Sequence, residues 1–149
     1  MKVGFIGLGI MGRPMAEHLL RGKHELHLHS RSGVPRELID AGGRAWDTGR
    51  EVAGNADVII TMVPDTPDVE AVLFGENGVA RGLSAGKAVV DMSSISPLAT
   101  KEFAARINAL GCPYLDAPVS GGQVGARNAS LTIMVGGDRE TFERVMPLF

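Results

Sequence analysis

Residues 7–12 read Gly-Leu-Gly-Ile-Met-Gly, with glycine at the first, third and sixth positions of a hexad. That spacing suits a strand-to-helix turn that receives a pyrophosphate. Gly7 permits the tight turn, Gly9 lets the backbone approach the phosphates, and Gly12 lets the helix pack close to the strand. Leu8, Ile10 and Met11 complete the loop, whose free N–H groups and helix-dipole end attract negative charge. The dipole contributes about 0.3–1 kcal/mol per interaction, so the hydrogen bonds dominate. In a chain with 20 glycines such a hexad is weak alone. Here it follows the apolar run Val3 to Ile6 and precedes a helical pattern, which is the context the motif requires. The expected ligand is a dinucleotide.

Which dinucleotide turns on the end of the second expected strand. An NAD site places an Asp or Glu about 20 residues beyond the glycines, to hold the ribose hydroxyls. Residues 27–33 read His-Leu-His-Ser-Arg-Ser-Gly, with no acid among them. Arg31 can hold a 2′-phosphate bidentately, and Ser30 and Ser32 add hydroxyl donors. NADP(H) is therefore favoured over NAD(H).

Two more segments carry possible chemistry. One is Asp91-Met92-Ser93-Ser94-Ile95-Ser96; the other is Asp116-Ala117-Pro118-Val119-Ser120-Gly121-Gly122, followed by Gly125-Ala126. Each stands where a strand is expected to end, and ligands of open α/β sheets bind at the carboxyl ends of strands. A serine followed by two glycines leaves a hydroxyl and several N–H groups open to a carboxylate.

These residues need a scaffold. Runs at 2–6, 25–29, 57–62 and 87–91 read as strands, and the first, third and fourth are apolar nearly throughout, as in a parallel sheet covered on both faces. Helix candidates at 14–21, 35–41, 48–53 and 67–74 alternate with them, and Pro14, Pro35 and Pro67 stand near helix starts. A longer helix is expected at 97–110, with Phe103, Ile107 and Leu110 on one stripe and Gly111 as its stop. The order predicts a doubly wound, mostly parallel α/β sheet of Rossmann type with right-handed crossovers. A strand at 114–116, a glycine-rich loop and a strand at 131–135 follow. Asp138 then caps a helical pattern of Phe142, Val145, Met146 and Phe149, interrupted by Pro147. The apolar Leu148-Phe149 end is expected to lack a partner and reads as a chain that continues.

The 149 residues fit one domain, 1–149. A net charge of −2 without any Lys/Arg run points away from nucleic acid. No stretch of about eighteen apolar residues exists to span a membrane. The apolar start is broken by glycines and by Arg13-Pro14, unlike a signal peptide, and the single cysteine, Cys112, allows no internal disulfide. A cytoplasmic protein with small-molecule partners is expected. His27 and His29 share one strand face, but no third ligand accompanies them, so no metal is expected. Cys112, beside Pro113, reads as a buried small hydrophobe.

The segments GLGIMGRPMA, MVPDTPDVEAVLFGENG, DMSSISP, and LDAPVSGG with Gly125-Ala126 and LTIMVGGD together resemble, in order, the β-hydroxyacid dehydrogenase family over essentially the whole chain. The resemblance implies that Gly7, Gly9 and Gly12 bind the pyrophosphate and Ser30 with Arg31 the adenosine end. Met62, Val63 and Pro64 would line the cofactor cleft, and Ser94 would sit near the nicotinamide. Ser120, Gly121 and Gly122, in a substrate loop spanning 116–126, would hold a small carboxylate substrate. The implied reaction is reversible hydride transfer between nicotinamide C4 and the aldehyde carbon of a small 2-hydroxy-3-oxo acid. Members of the family are homo-oligomeric and carry a second, all-helical domain that is absent from this sequence.

The family's catalytic lysine lies in a G-x-x-x-K-x-x-x-N helix beyond the substrate loop. The lysines here stand at positions 2, 23, 87 and 101, so no catalytic residue is expected within the chain. A positioned proton donor contributes about 10²–10⁴ in rate, so these residues alone are expected to turn over little. A non-catalytic dinucleotide-binding module is the alternative. A smaller departure is Asn128-Ala129-Ser130, where the family usually has glycine before Thr-Leu. Ala129 adopts positive φ less readily than glycine, so the substrate loop is expected to sit differently.

Overall fold

A computed structural model describes residues 1–149. Six strands form one parallel sheet: β1 (Lys2–Ile6), β2 (Glu25–His29), β3 (Arg44–Ala45), β4 (Val58–Thr61), β5 (Ala88–Asp91) and β6 (Tyr114–Asp116). Their order is β3-β2-β1-β4-β5-β6. The connections are α1 (Gly12–Arg21), α2 (Arg36–Asp40), α3 (Gly49–Asn55), α4 (Thr66–Phe74) and α5 (Pro97–Asn108). The chain leaves β1 toward β2 on one side and later returns to place β4 on the other. A crevice therefore opens above β1, the switch point of a doubly wound sheet.

Alternation within the central strands explains why they are apolar throughout. Phe5, Ile60 and Val90 face one core cluster, while Ile6, Ile59 and Val89 face the other. Ala16 and Leu19 of α1 close the first face; Val52, Leu73, Phe103 and Ile107 close the second. Each Val, Leu, Ile or Phe side chain among them contributes about 1.5–3 kcal/mol on burial. Cys112 is buried among the second group, as the sequence suggested.

Four local expectations are corrected. Helix α5 ends at Asn108, and Leu110 is 45% exposed; the buried stripe is Thr100, Phe103 and Ile107. The glycine-rich stretch is not a bare loop: it contains β7 (Val119–Ser120) and a short helix, α6 (Gly122–Arg127). The expected strand at 131–135 shrinks to β8 (Thr132–Ile133), antiparallel to β7. The last helix, α7 (Arg139–Val145), starts at Asp138, whose Oδ2 accepts from the Thr141 N–H at 2.9 Å and hydroxyl at 2.8 Å. Pro147 has no N–H to continue the helix, and a 3₁₀ turn follows at 146–148. Leu148 and Phe149 do find partners, because that turn folds them onto the first core cluster; Met146 stays exposed. No helix is long and apolar enough to cross a membrane.

Candidate functional site

A cleft of about 870 Å³ lies at the carboxyl ends of β1, β2 and β4. All of residues 7–12, Ser30, Arg31, Ser32, Met62, Val63 and Pro64 line it, so three separate segments singled out in the sequence meet there.

The glycine turn is built from the end of β1. Gly7 has φ +102°, and a Cβ there would overlap the Met62 carbonyl oxygen. Its N–H donates to His29 O at 3.1 Å, tying the ends of β1 and β2. A Cβ on Gly12 would overlap the Gly7 carbonyl oxygen, so the close approach of α1 to the turn requires glycine. Gly9 differs from both: a Cβ there meets nothing within 4 Å, so the protein itself has no need of glycine at that position. The Leu8 N–H donates to Ser30 Oγ at 3.4 Å. The N–H groups of Gly9, Ile10, Met11 and Gly12 donate to no acceptor in the chain, and Met11 supplies no side-chain cap. Open space above Gly9 and a run of unpartnered donors at a helix start fit a pyrophosphate.

At the end of β2, Arg31 is 92% exposed, and its Nη1 stands 4.0 Å from Asp68 Oδ1 of α4. Asp68 also accepts from the Asp65 N–H at 3.1 Å as part of a capping box, so the carboxylate is fixed and the arginine is not. An exposed pair of this kind contributes about 0–1 kcal/mol, little enough for a phosphate to displace it. Ser30 serves the glycine turn as an acceptor and keeps its own proton for a ligand.

Beneath the β4 and β5 ends lies a buried polar cluster. Asp91 Oδ1 accepts from the Thr61 hydroxyl at 2.8 Å and the Ser93 N–H at 3.1 Å, and Oδ2 from the Tyr114 hydroxyl at 3.4 Å. Burial pushes the Asp91 carboxyl above the ordinary carboxylate range, against the pull of hydrogen bonds from Ser93, Thr61 and Tyr114. Tyr114 is pushed up too, first by burial and then by the Asp91 charge. Asp116, paired with Asp91 across β5 and β6, is raised by burial and by the Asp91 charge. The Ser93 hydroxyl accepts from the Val63 N–H at 2.9 Å.

The other expected residues lie apart from this cleft. Ser94 is exposed and does not line it; the adjacent Ser93 is the one turned inward. Ser120, Gly121 and Gly122 are exposed on the separate β7–α6 unit and do not line it either. Gly121 (φ +132°) and Gly122 (φ +60°) need glycine for their backbone, and the Leu131 side chain packs over Gly121 and Gly125. Ala129 adopts φ +53°. The Ser130 N–H donates to Gly125 O at 2.9 Å and the Ala129 N–H to Ala126 O at 3.4 Å, a Schellman closure of α6 that imposes the conformation.

The strand histidines are occupied otherwise. His27 accepts from the Trp46 indole at 3.0 Å and donates to Glu25 at 2.8 Å, and His29 donates to Trp46 O at 3.0 Å. Sequence reading missed the β3–α3 contribution to the cleft, Asp47, Thr48 and Gly49. A signal was present: Thr48 and Glu51 have capping-box spacing, and Thr48 Oγ1 accepts from the Glu51 N–H at 3.1 Å.

Residues 2–149 match the NAD binding domain of 6-phosphogluconate dehydrogenase. The chain is 58% identical over 149 residues to 2-hydroxy-3-oxopropionate reductase of Escherichia coli (strain K12), covering all of this chain and 51% of that protein. It is 40% identical over 147 residues to mitochondrial 3-hydroxyisobutyrate dehydrogenase of Mus musculus, covering 98% of this chain and 44% of that protein. It superposes on Psf3 in complex with NADP+ and 2-OPP with a TM-score of 0.90 at 32% identity, over 98% of this chain and 52% of that one. The chain thus spans about half the length of the curated relatives it matches.

Proposed function

The chain belongs to the β-hydroxyacid dehydrogenase family, as its NAD-binding domain, and from that premise we propose that it is the NADP-binding half of a reductase. The reaction proposed is interconversion of tartronate semialdehyde (2-hydroxy-3-oxopropanoate) and glycerate. The observation that carries the cofactor reading is the glycine turn, with four adjacent N–H groups unpartnered and open space at Gly9. The substrate assignment draws on the likeness to 2-hydroxy-3-oxopropionate reductase, against the more distant hydroxyisobutyrate dehydrogenases.

In this reading the N–H groups of residues 9–12 hold the pyrophosphate. Arg31 leaves Asp68 to grip the 2′-phosphate, and Met62, Val63 and Pro64 exclude water along one wall. A nicotinamide held there would supply hydride chemistry for an aldehyde carbon. Ser120, Gly121 and Gly122 bind the substrate carboxylate. No lysine lines the cleft, and Lys87 donates to Ala53 O. These 149 residues alone therefore hold cofactor but turn over slowly, lacking a proton donor with an effect of about 10²–10⁴. The same observation supports the second reading, a dinucleotide module without chemistry.

The test is calorimetric titration with NADPH and NADH of the chain and of Arg31→Ser. NADPH should bind more tightly, and the substitution should cost it about tenfold or more while sparing NADH. Equal or tighter NADH binding overturns the cofactor preference. Tartronate semialdehyde reduction at a normal enzymatic rate by the chain alone overturns the claim that it lacks the proton donor.

A further inference from the structure

We infer that Asp91 is a positioning residue that sets the β4 wall of the cleft by holding the Ser93 backbone N–H, so that the Ser93 hydroxyl meets the Val63 N–H. The inference rests on the dinucleotide reading of the cleft.

Asp91 is completely buried and does not line the cleft, so it touches no ligand directly. Its reach is through the wall segment 62–64. The Met62 N–H still belongs to the sheet, donating to Ile6 O at 2.9 Å, and the Asp65 N–H belongs to the α4 cap. Pro64 has no N–H. Val63 therefore supplies the single backbone donor between the sheet and α4, and its acceptor is Ser93 Oγ at 2.9 Å.

A serine hydroxyl that accepts from Val63 must aim its lone pair there and send its proton elsewhere. Asp91 Oδ1 accepts from the Ser93 N–H at 3.1 Å, which holds that serine, and with it the hydroxyl that meets Val63, in place. The Thr61 hydroxyl on the same oxygen ties the last residue of β4 to β5 just before the wall begins. One carboxylate thus fixes both the strand end and the first turn beyond it. An apolar side chain at position 91 would leave the Thr61 hydroxyl and the Ser93 N–H without an acceptor in a buried site, and so free Ser93 to move away from Val63. The Tyr114 bond to Oδ2 contributes to burying Asp91 but has no connection to the wall, which makes it a control.

The experiment is NADPH titration and amide hydrogen exchange on the full chain and its Ser93→Ala, Tyr114→Phe and Asp91→Asn variants. Ser93→Ala is expected to raise the NADPH Kd about tenfold, or about 1.4 kcal/mol, and to speed exchange of the Val63 amide. Tyr114→Phe, which removes a hydrogen bond from the same carboxylate, is expected to lower the melting temperature while leaving Kd and Val63 exchange near wild type. Asp91→Asn should follow Ser93→Ala; if it does not fold, the other two variants still decide. Wild-type affinity in Ser93→Ala, or equal loss of affinity in Ser93→Ala and Tyr114→Phe, overturns the inference while the cofactor reading stands. A wild-type chain that binds neither NADPH nor NADH overturns both.

Discussion

His18 of α1 reaches α6: its Nε2–H donates to the carbonyl oxygens of Ala126 at 2.9 Å and Arg127 at 3.1 Å. Its Nδ1 accepts from Arg21 Nη1 at 3.4 Å, so the tautomer with the proton on Nε2 satisfies every partner. The helix that begins at the glycine turn after β1 therefore caps the helix that begins at the 120–122 turn. Losing the cap should destabilise the chain by about 1 kcal/mol in His18→Ala, with partial recovery in His18→Gln, whose amide can donate to the same carbonyls. Hydrogen exchange should accelerate at 122–128 and not in β1 or β4; a uniform change would contradict this coupling.

The two glycines at 7 and 9 should separate folding from binding. Gly9→Ala has room for its methyl, so its melting temperature should stay near wild type while NADPH affinity collapses. Gly7→Ala forces a Cβ into the Met62 carbonyl at φ +102° and should destabilise by about 3 kcal/mol or more. Thermal melts paired with titrations check both, and equal melting temperatures for the two variants would refute the distinction.

Ala129→Gly should stabilise the chain. A left-handed non-glycine residue costs roughly 1–2 kcal/mol. Added freedom of the unfolded glycine returns up to about 1 kcal/mol of that. A net gain below about 1 kcal/mol should raise the melting temperature by about 2 °C. A lower melting temperature would show that the Schellman closure is not strained by alanine.

Asp91 should give stability a distinctive dependence on pH. Burial raises its carboxyl, so the folded chain keeps this proton to higher pH than the unfolded chain does. In that window the unfolded state binds fewer protons, and stability falls as pH rises. Measured by urea unfolding, the advantage of wild type over Asp91→Asn should be greatest at the acid end. It should shrink as pH climbs from the ordinary carboxylate range through the folded-state titration. Asp116, raised partly by the Asp91 charge, shifts less in the variant and reinforces the trend. A difference that grows with pH would show that Asp91 ionises more readily in the folded state.

The cleft was more legible than the loop. The glycine hexad, the acid-free end of β2 and the Met62-Val63-Pro64 segment all sit at strand ends, where a parallel sheet brings them together regardless of side-chain detail. The 117–130 stretch was not legible as structure. Glycine at 121, 122 and 125 reads as flexibility, yet Leu131 packs on two of these glycines and makes a helix of the stretch. The roles of Ser93 and Ser94 were equally hidden, since a run of serines carries no periodicity to tell the buried one from the exposed.

Unlike β3 and the strand order, the parallel α/β class of the sheet, the nucleotide-binding family and the glycine turn at the end of β1 were legible in the sequence itself. They follow from local chemistry: apolar runs that must be covered on both faces, and glycines where a Cβ cannot fit or a ligand must approach. Tertiary structure alone decided which acceptor each buried donor finds. Asp91 with Thr61 and Tyr114, and His18 with Ala126 and Arg127, join residues 23 to 109 positions apart. No propensity encodes such pairs, because hydrogen-bond partners in a buried site are set by which strands and helices the packing makes neighbours.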